Sequence, residues 1–492
     1  MANKLHLYNT YSSELELFQP INPPFVGMYL CGPTVYGDPH LGHSRGPVLM
    51  DVLFRYLTHL GYKVRYVRNI TDVGHLVNDA DEGDDKIAKQ ARLDQIEPME
   101  VVQKYTNAYH NAINKLNVWS PSIEPRATGH IEEQIDMIVK IIENGFAYEV
   151  NGSVYFDVIR YAETNDYGKL SGRKLEDLIA GAGNARRELD SQEEKKNPND
   201  FALWKKASPE HIMKWKSPWG VGIPGWHIEC SAMSAKYLGQ PFDIHAGGMD
   251  LLFPHHESEI AQSTACNHEA PVQYWLHHNM ITINGQKMAK SLNNGILMEE
   301  MFAGDHHLLD KAYSPMTLRF FLMQAHYRGT VDFSNEALSA AEKGYKRLCE
   351  AIMKVKGLNT SETSEVNIGE WSDKFTQVMN DDLNTPQAIA LLFEAVKWIN
   401  EIEAGRLTID KENLQLFNEK LQAYFFDILG FALESDGENS EKMDGLMELL
   451  LEIRNEAKER KDYGTADLIR NQLNQLGIEI MDGKEGSSYR LK

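Results

Sequence analysis

The sequence predicts an α/β chain: a Rossmann-like, doubly wound parallel-sheet catalytic domain, interrupted by an inserted domain and followed by a C-terminal α-helical bundle. Three observations carry this. First, "FVGMYLCG", "GHSRGPVLMDVLFRYLTHLG" and "KVRYVRNI" read as strand, helix closing on Gly61, and strand, which is a βαβ unit. Second, between residues 121 and 224 the chain turns to charge, Gly and Lys-Trp combinations such as "FALWKKASPEHIMKWKSPWG", the mark of an insertion. Third, beyond residue 340 long stretches such as "NTPQAIALLFEAVKWINEIEAG" place apolar residues at helical spacing.

In order, residues 1–120 form the first half of the catalytic domain and residues 121–224 the inserted, connective-peptide-like domain. Residues 225–340 complete the sheet, with "FDIHAGG", "VQYWLHHNMITING" and "MTLRFFLMQAHYRG" read as strand-like. Residues 341–430 form a helical bundle, and residues 431–492 a small helical domain ending in a hairpin around Asp482-Gly483.

A chain of 492 residues exceeds one core and divides into about three or four domains. With 42% hydrophobic and 25% charged residues and no long apolar run, it belongs neither in a membrane nor, judged by "MANKLHLYNTYSSELE", among exported proteins, so cytoplasm is expected. Cys31, Cys230, Cys266 and Cys349 are too scattered for a disulfide framework or a zinc ribbon. A net charge of −21 argues against nonspecific nucleic-acid binding, so any such partner must be recognised selectively.

The chemistry concentrates in three stretches. In "YLCGPTVYGDPHLGHSRG", His40 and His43 flank Gly42 where the first strand hands over to a helix, a place where N–H groups and the helix dipole favour phosphate. The same pattern also suits a plain turn with two surface histidines. "NGQKMAKS" sets Lys287 and Lys290 beside an Asn284-Gly285 turn, able to neutralise a reacting phosphate or simply to be solvated. In "FPHHESEIAQSTAC", read as a helix of a little over three turns, His255 and Glu259 share one face, and His256 also reaches Glu259. Spacing permits a two-ligand metal arm there, and equally an ordinary polar helix start.

"HLGH" and "KMAKS" together resemble the two signatures of class I aminoacyl-tRNA synthetases. With "RNITDV", "EPRATGHI", "GWHIECSAM", "FDIHAGGMDLLFPHHESEIAQS" and "AHYRG", the resemblance narrows to the cysteinyl-tRNA synthetase family and runs essentially end to end. It implies activation of L-cysteine with ATP and its transfer to tRNA(Cys), by a cytoplasmic monomer with no membrane role. One Zn2+ per chain is implied on Cys31, Cys230, His255 and Glu259, and Mg2+ with the ATP; Cys266, Cys349 and His256 match no ligand. His40, Gly42, His43, Lys287 and Lys290 are implied at the ATP, and Thr71, Trp226, His227 and His245 around the amino-acid pocket.

Zinc has a physical reason to be there. A pocket relying on shape rejects serine only about a hundredfold, whereas zinc binds and ionises a thiol that a hydroxyl does not imitate. Arg454, Lys458, Arg460 and Lys461 offer charge for tRNA phosphates, and the Lys and Trp residues from Trp204 to Trp219 either guide the acceptor end or pack a small core. Ala289 departs from the usual serine of the second signature, and the run after Asp72 is long for the family. Two alternatives use the same core: a cysteine:amino-sugar ligase, and a non-catalytic synthetase-derived tRNA-binding module.

Overall fold

A computed structural model describes residues 4–73, 86–94, 96–174, 194–209, 211–289, 292–433, 437–476, 478–483 and 486–491. The chain forms two units, Met1–Ala432 and Leu433–Lys492.

In the first unit, β1 (Phe25–Leu30) leads to α1 (Gly42–His59), the chain turns at Gly61 with φ +90°, and β2 (Lys63–Arg68) pairs parallel to β1. After the insertion come α2 (Trp226–Leu238), β3 (Phe242–Gly248), α3 (Glu257–Asn267) and β4 (Val272–His278). The sheet order is β4-β3-β1-β2, all parallel. Winding therefore reverses between β1 and β3, where open α/β sheets leave a crevice at their strand ends. Every residue of β3 is buried, as befits a parallel strand covered on both faces.

Two strand expectations need correction. "MTLRFFLMQAHYRG" contains a helix, Pro315–Met323, capped by Ser314, whose side chain accepts the Thr317 N–H. Residues 316–323 are buried all round, the polar Thr317 and Arg319 included, so burial leaves no apolar/polar period to read, and the Ser-Pro start is the sharper signal. "VQYWLHHNMITING" divides: Val272–His278 ends the main sheet, while Ile281–Ile283 joins a separate sheet with Gln286–Lys287 and Val331–Phe333. Asn284 and Gly285, with φ +50° and +75°, make the tight turn between its first two strands.

Within residues 121–224 lies a five-stranded antiparallel sheet, ordered Ala147–Val150, Ser153–Phe156, Phe201–Lys206, Gly220–Pro224 and Trp215–Ser217. Trp204 is fully buried there, Trp215 and Trp219 pack against the same cluster, and Ile228, Ala261, Ala265 and Cys266 of α2 and α3 complete it. These tryptophans are core, and the inserted sheet is fused to the helices behind the crevice. Cys266 is buried, as expected of a small apolar residue, and Cys349 is half-buried.

The helices Asn335–Lys354, Ile368–Asn380, Thr385–Glu403 and Lys411–Gln422 each start at a side-chain cap, on Ser334, Asn367, Asn384 and Asp410. One continuous apolar core runs from Leu5 through Phe431, so this bundle packs on the catalytic part rather than standing apart. In the second unit, helices Gly437–Glu459 and Tyr463–Gln475 precede an antiparallel hairpin, Ile478–Gly483 with Gly486–Leu491. Asp482 and Gly483 are paired strand residues, opposite Ser487 and Gly486, rather than the turn itself. Arg454, expected at tRNA phosphates, is 1% exposed, because it follows Met447 and Leu451 on the core face of its helix; Arg460 and Lys461 are exposed.

Candidate active site

Cys31 follows β1 directly, and its N–H donates to the Ala246 carbonyl of β3 at 3.2 Å, which sets its thiol at the winding reversal. Cys230 stands on α2 and Glu259 on α3, with His255 in the irregular turn before α3. That turn corrects the single long helix expected over "FPHHESEIAQSTAC": Phe253, preceding a proline, is extended at φ −139°, and the regular helix begins at Glu257.

The four donor atoms nevertheless converge within 4.8 Å of one another. Cys31 Sγ lies 3.7 Å from Cys230 Sγ and 3.7 Å from Glu259 Oε1, and His255 Nε2 lies 3.2 Å from that oxygen. A tetrahedral ion held at about 2.3 Å by sulfur and about 2.0–2.2 Å by nitrogen and oxygen spaces its ligands roughly 3.3–3.8 Å apart, so the cage matches zinc in size and donor type. The sulfurs are far beyond disulfide distance, about 2.05 Å.

Electrostatics fit the same occupant. Burial, then the neighbouring Cys230, pushes the Cys31 thiol well above its usual pKa; Cys230 also titrates high, its hydrogen bond with Cys31, the largest single influence, being outweighed by burial together with the charges of Glu259 and Glu229. Two thiols and a carboxylate crowded together keep protons on the sulfurs, whereas a divalent ion releases them.

Cys31, His245, His256 and Glu259 form a second, overlapping donor set. Of its histidines, His245 Nε2 is engaged with Glu259 Oε2 at 2.9 Å, while His256, whose Nδ1 meets His277 Nε2 at 2.7 Å, turns its Nε2 toward Cys31 Sγ at 3.4 Å. Likewise His227 Nδ1 meets His255 Nδ1 at 2.9 Å, which turns His255 Nε2 toward Glu259. Such outer contacts orient a metal's ligands. Burial, then His245, holds His256 well below its usual pKa, keeping that ring neutral.

A cleft of about 420 Å³ runs from Cys31 and Trp226 to His40, His43 and Lys287. At the far end, the His40 N–H donates to His43 Nδ1 and the Gly42 N–H to His40 Nδ1, both at 3.1 Å. With both Nδ1 atoms accepting, each neutral ring carries its proton on Nε2. Burial and then His40 lower the His43 pKa to about 3, so this ring is a neutral donor at physiological pH. The helix N–H groups that the sequence offers to phosphate are spent internally: Gly42 on His40 Nδ1, His43 on the His40 carbonyl, Ser44 on the Leu41 carbonyl. Gly42 itself is needed for closeness, since a Cβ there would stand 2.9 Å from His40 Cε1 and 3.1 Å from Met288 Cε.

Lys287 lies exposed on its two-residue strand and lines the cleft; Lys290 lies outside the described residues, as does most of the run after Asp72. Trp226 lines the cleft with its ring 4.6 Å from that of His255. Thr71, His227 and His245 do not line it: they are buried behind the wall, Thr71 donating to Glu229 Oε2 at 3.0 Å. Sequence reasoning missed several residues. Asn69 accepts the Gly32 N–H at 2.8 Å and donates to Thr71, tying the loop of Cys31 to β2's end. Asp250, His278 and Lys86 also line the cleft. Asn69 and Asp250 sit inside quoted motifs, and nothing in their spacing singles them out.

Three family models match the chain: "tRNA synthetases class I (C) catalytic domain" over residues 17–343, "DALR domain" over 374–434 and "Cysteinyl-tRNA ligase anticodon binding domain" over 442–490. Similar proteins include the cysteine--tRNA ligases of Bacteroides fragilis, 58% identical with 100% of both chains covered, and Porphyromonas gingivalis, 57% with the same coverage. That of Chlorobaculum tepidum is 45% identical over 100% of this chain and 99% of its own. Among solved structures, the ternary complex of Agrobacterium radiobacter K84 agnB2 LeuRS with tRNA and LeuAMS gives a TM-score of 0.57 at 12% identity, covering 84% of this chain and 85% of that one. Mycobacterium tuberculosis methionyl-tRNA synthetase with methionyl-adenylate gives 0.55 at 13%, covering 82% and 89%. At such identities these two likenesses speak to fold alone.

Proposed function

The chain belongs to the cysteine--tRNA ligase family and activates cysteine with ATP for transfer to tRNA, and from that premise we propose how its residues divide the work. The observation that carries the reading is the two-cysteine donor cage and the two Nε2–H imidazoles at the two ends of one cleft.

Cys31, Cys230, His255 and Glu259 hold one zinc ion, which when bound supplies a soft, thiol-ionising centre that favours cysteine over serine. Trp226 closes the pocket beside His255; Thr71, His227 and His245 fix its walls from behind. The cysteine carboxylate attacks the ATP α-phosphorus, a P–O bond forming as the bond to the β-phosphate oxygen breaks and pyrophosphate leaves; Mg2+ would accompany the ATP as part of the substrate. His40 and His43 donate to the nucleotide, Gly42 lets it approach, and Lys287 with Lys290 neutralises the departing pyrophosphate. The terminal 2′-hydroxyl of tRNA(Cys) then attacks the mixed anhydride and AMP leaves.

Residues 1–120 and 225–340 supply the two catalytic halves, 121–224 the insert, and 341–430 with 431–492 the tRNA-facing helical parts. No helix among the described residues is long and apolar enough to cross a membrane, in keeping with a cytoplasmic chain; we assign it as a monomer. Pyrophosphate exchange driven by cysteine, compared with serine and repeated after chelation and zinc repletion, tests the assignment. Cysteine-only exchange that vanishes with the metal and returns with zinc is expected; equal exchange with serine defeats it.

A further inference from the structure

Asn294 is 7% exposed and makes two hydrogen bonds to the loop that carries Lys287. Its Oδ1 accepts the Ala289 N–H at 2.8 Å, and its Nδ2 donates to the Lys287 carbonyl at 3.1 Å. Both bonds reach main chain, so they act whatever side chain stands at those positions. A buried amide with an acceptor and a donor both engaged is a costly group to replace, because either loss strands a polar partner.

The base from which Asn294 reaches is fixed to the first signature. Leu41 N–H donates to the Ile296 carbonyl at 3.0 Å and Met298 N–H to the Pro39 carbonyl at 2.8 Å, while Ile296 and Met298 are fully buried. His40 and Leu297 thus form an antiparallel bridge. Two residues beyond Asn294, the chain is locked to the turn that holds His40 and His43; two bonds from Asn294 then carry that registration to Lys287. Among the described residues, its strand is otherwise held by the short pairing of Thr282 with Lys287 and Ile283 with Gln286, and the following Met288 packs on the apolar core.

We propose that Asn294 is a positioning residue for adenylation: it ties the main chain of Lys287 and Ala289 to the histidine-bearing turn, and so sets the Lys287 ammonium against the phosphate end of the cleft. The proposal rests on the reading of Lys287 given above. A misplaced charge of this kind costs about tenfold to a hundredfold in rate, without altering the amino-acid pocket at the other end.

The test uses the full-length, zinc-replete protein with N294A, the isosteric N294D, which keeps the acceptor for Ala289 and loses the donor to Lys287, and K287A. Cysteine-dependent pyrophosphate exchange, the KM for cysteine, melting temperature, and single-turnover transfer from preformed cysteinyl-adenylate to tRNA are measured for each. Expected are kcat losses of about tenfold to a hundredfold in exchange for both Asn294 variants, with the KM for cysteine and transfer unchanged and the melting temperature lowered only modestly by the stranded main-chain partner. Normal exchange in both Asn294 variants, beside a defective K287A, overturns the proposal alone. Equal losses in exchange and transfer, with a steeply lowered melting temperature, also overturn it by showing a structural role. Normal exchange in K287A overturns the reading of Lys287 beneath it.

Discussion

At the sulfur end of the cleft three of the four donors are buried, and they meet across stretches as distant as Cys31 and Cys230, 199 residues apart. At the phosphate end His40 and His43 share one turn, their rings fixed by the main-chain N–H groups of Gly42 and His40, and an exposed Lys287 lines the same cleft. Selectivity needs the first arrangement, because discriminating one atom requires a rigid cage. Phosphate chemistry uses donors that meet a large anion entering from solvent. The difference teaches that the two ends can be damaged separately.

The largest break should come from C230S. Losing one thiolate from the cage removes the interaction on which recognition is built, and kcat/KM for cysteine should fall roughly 10⁴-fold, with serine approaching cysteine in exchange assays. A variant that still binds its metal and rejects serine would show that the cage is not the selector. H43A should act at the other end alone. Removal of one donor to developing charge costs about 10²- to 10³-fold in kcat, and the KM for cysteine should stay put. If H43A altered the cysteine-to-serine ratio, the two ends would be one coupled site.

A finer cut separates the cage from its supports. His245 touches Glu259 rather than the cleft, so H245N should weaken zinc retention about 10- to 100-fold in competition with a chelator, while metal-saturated exchange recovers most of its rate. No change in retention would reduce His245 to packing against Trp275.

This contrast also explains what could be read from the sequence. The phosphate end was legible because its residues are local: "HLGH" follows a strand and opens a helix, and "KMAKS" follows an Asn-Gly turn. His255 and Glu259 were legible as a pair but not as half of a cage, since no spacing rule joins Cys31 to Cys230; only the family resemblance did. Burial misled twice, at the helix Pro315–Met323, buried on every side, and at Arg454, whose charge drew attention away from its place on the core face. Asn69 and Asn294 were invisible because their partners are main-chain atoms, whose identity no side-chain pattern records.

The mildest effect expected is on stability, and there the two ends should respond to opposite limits of pH. Burial and then His40 hold His43 near about 3, and burial holds His278 near about 4, against an ordinary 6.5. Below 6.5 the unfolded chain therefore binds more protons than the folded one; this contribution is whole above pH 6.5 and is lost as pH falls toward those values. The melting temperature should decline on the acid side of 6.5, and H278N should flatten that decline. For the thiols the sign inverts: Cys31 and Cys230 are raised above an ordinary 9.0, so in metal-free protein their contribution is whole below 9.0 and is lost as pH rises through the folded values. Zinc, by ionising both sulfurs in the folded state, should abolish this alkaline decline and steepen the acid one, because the unfolded thiols then bind protons that the metal-held sulfurs do not. An alkaline decline that zinc does not remove would mean that the ion is held by other residues.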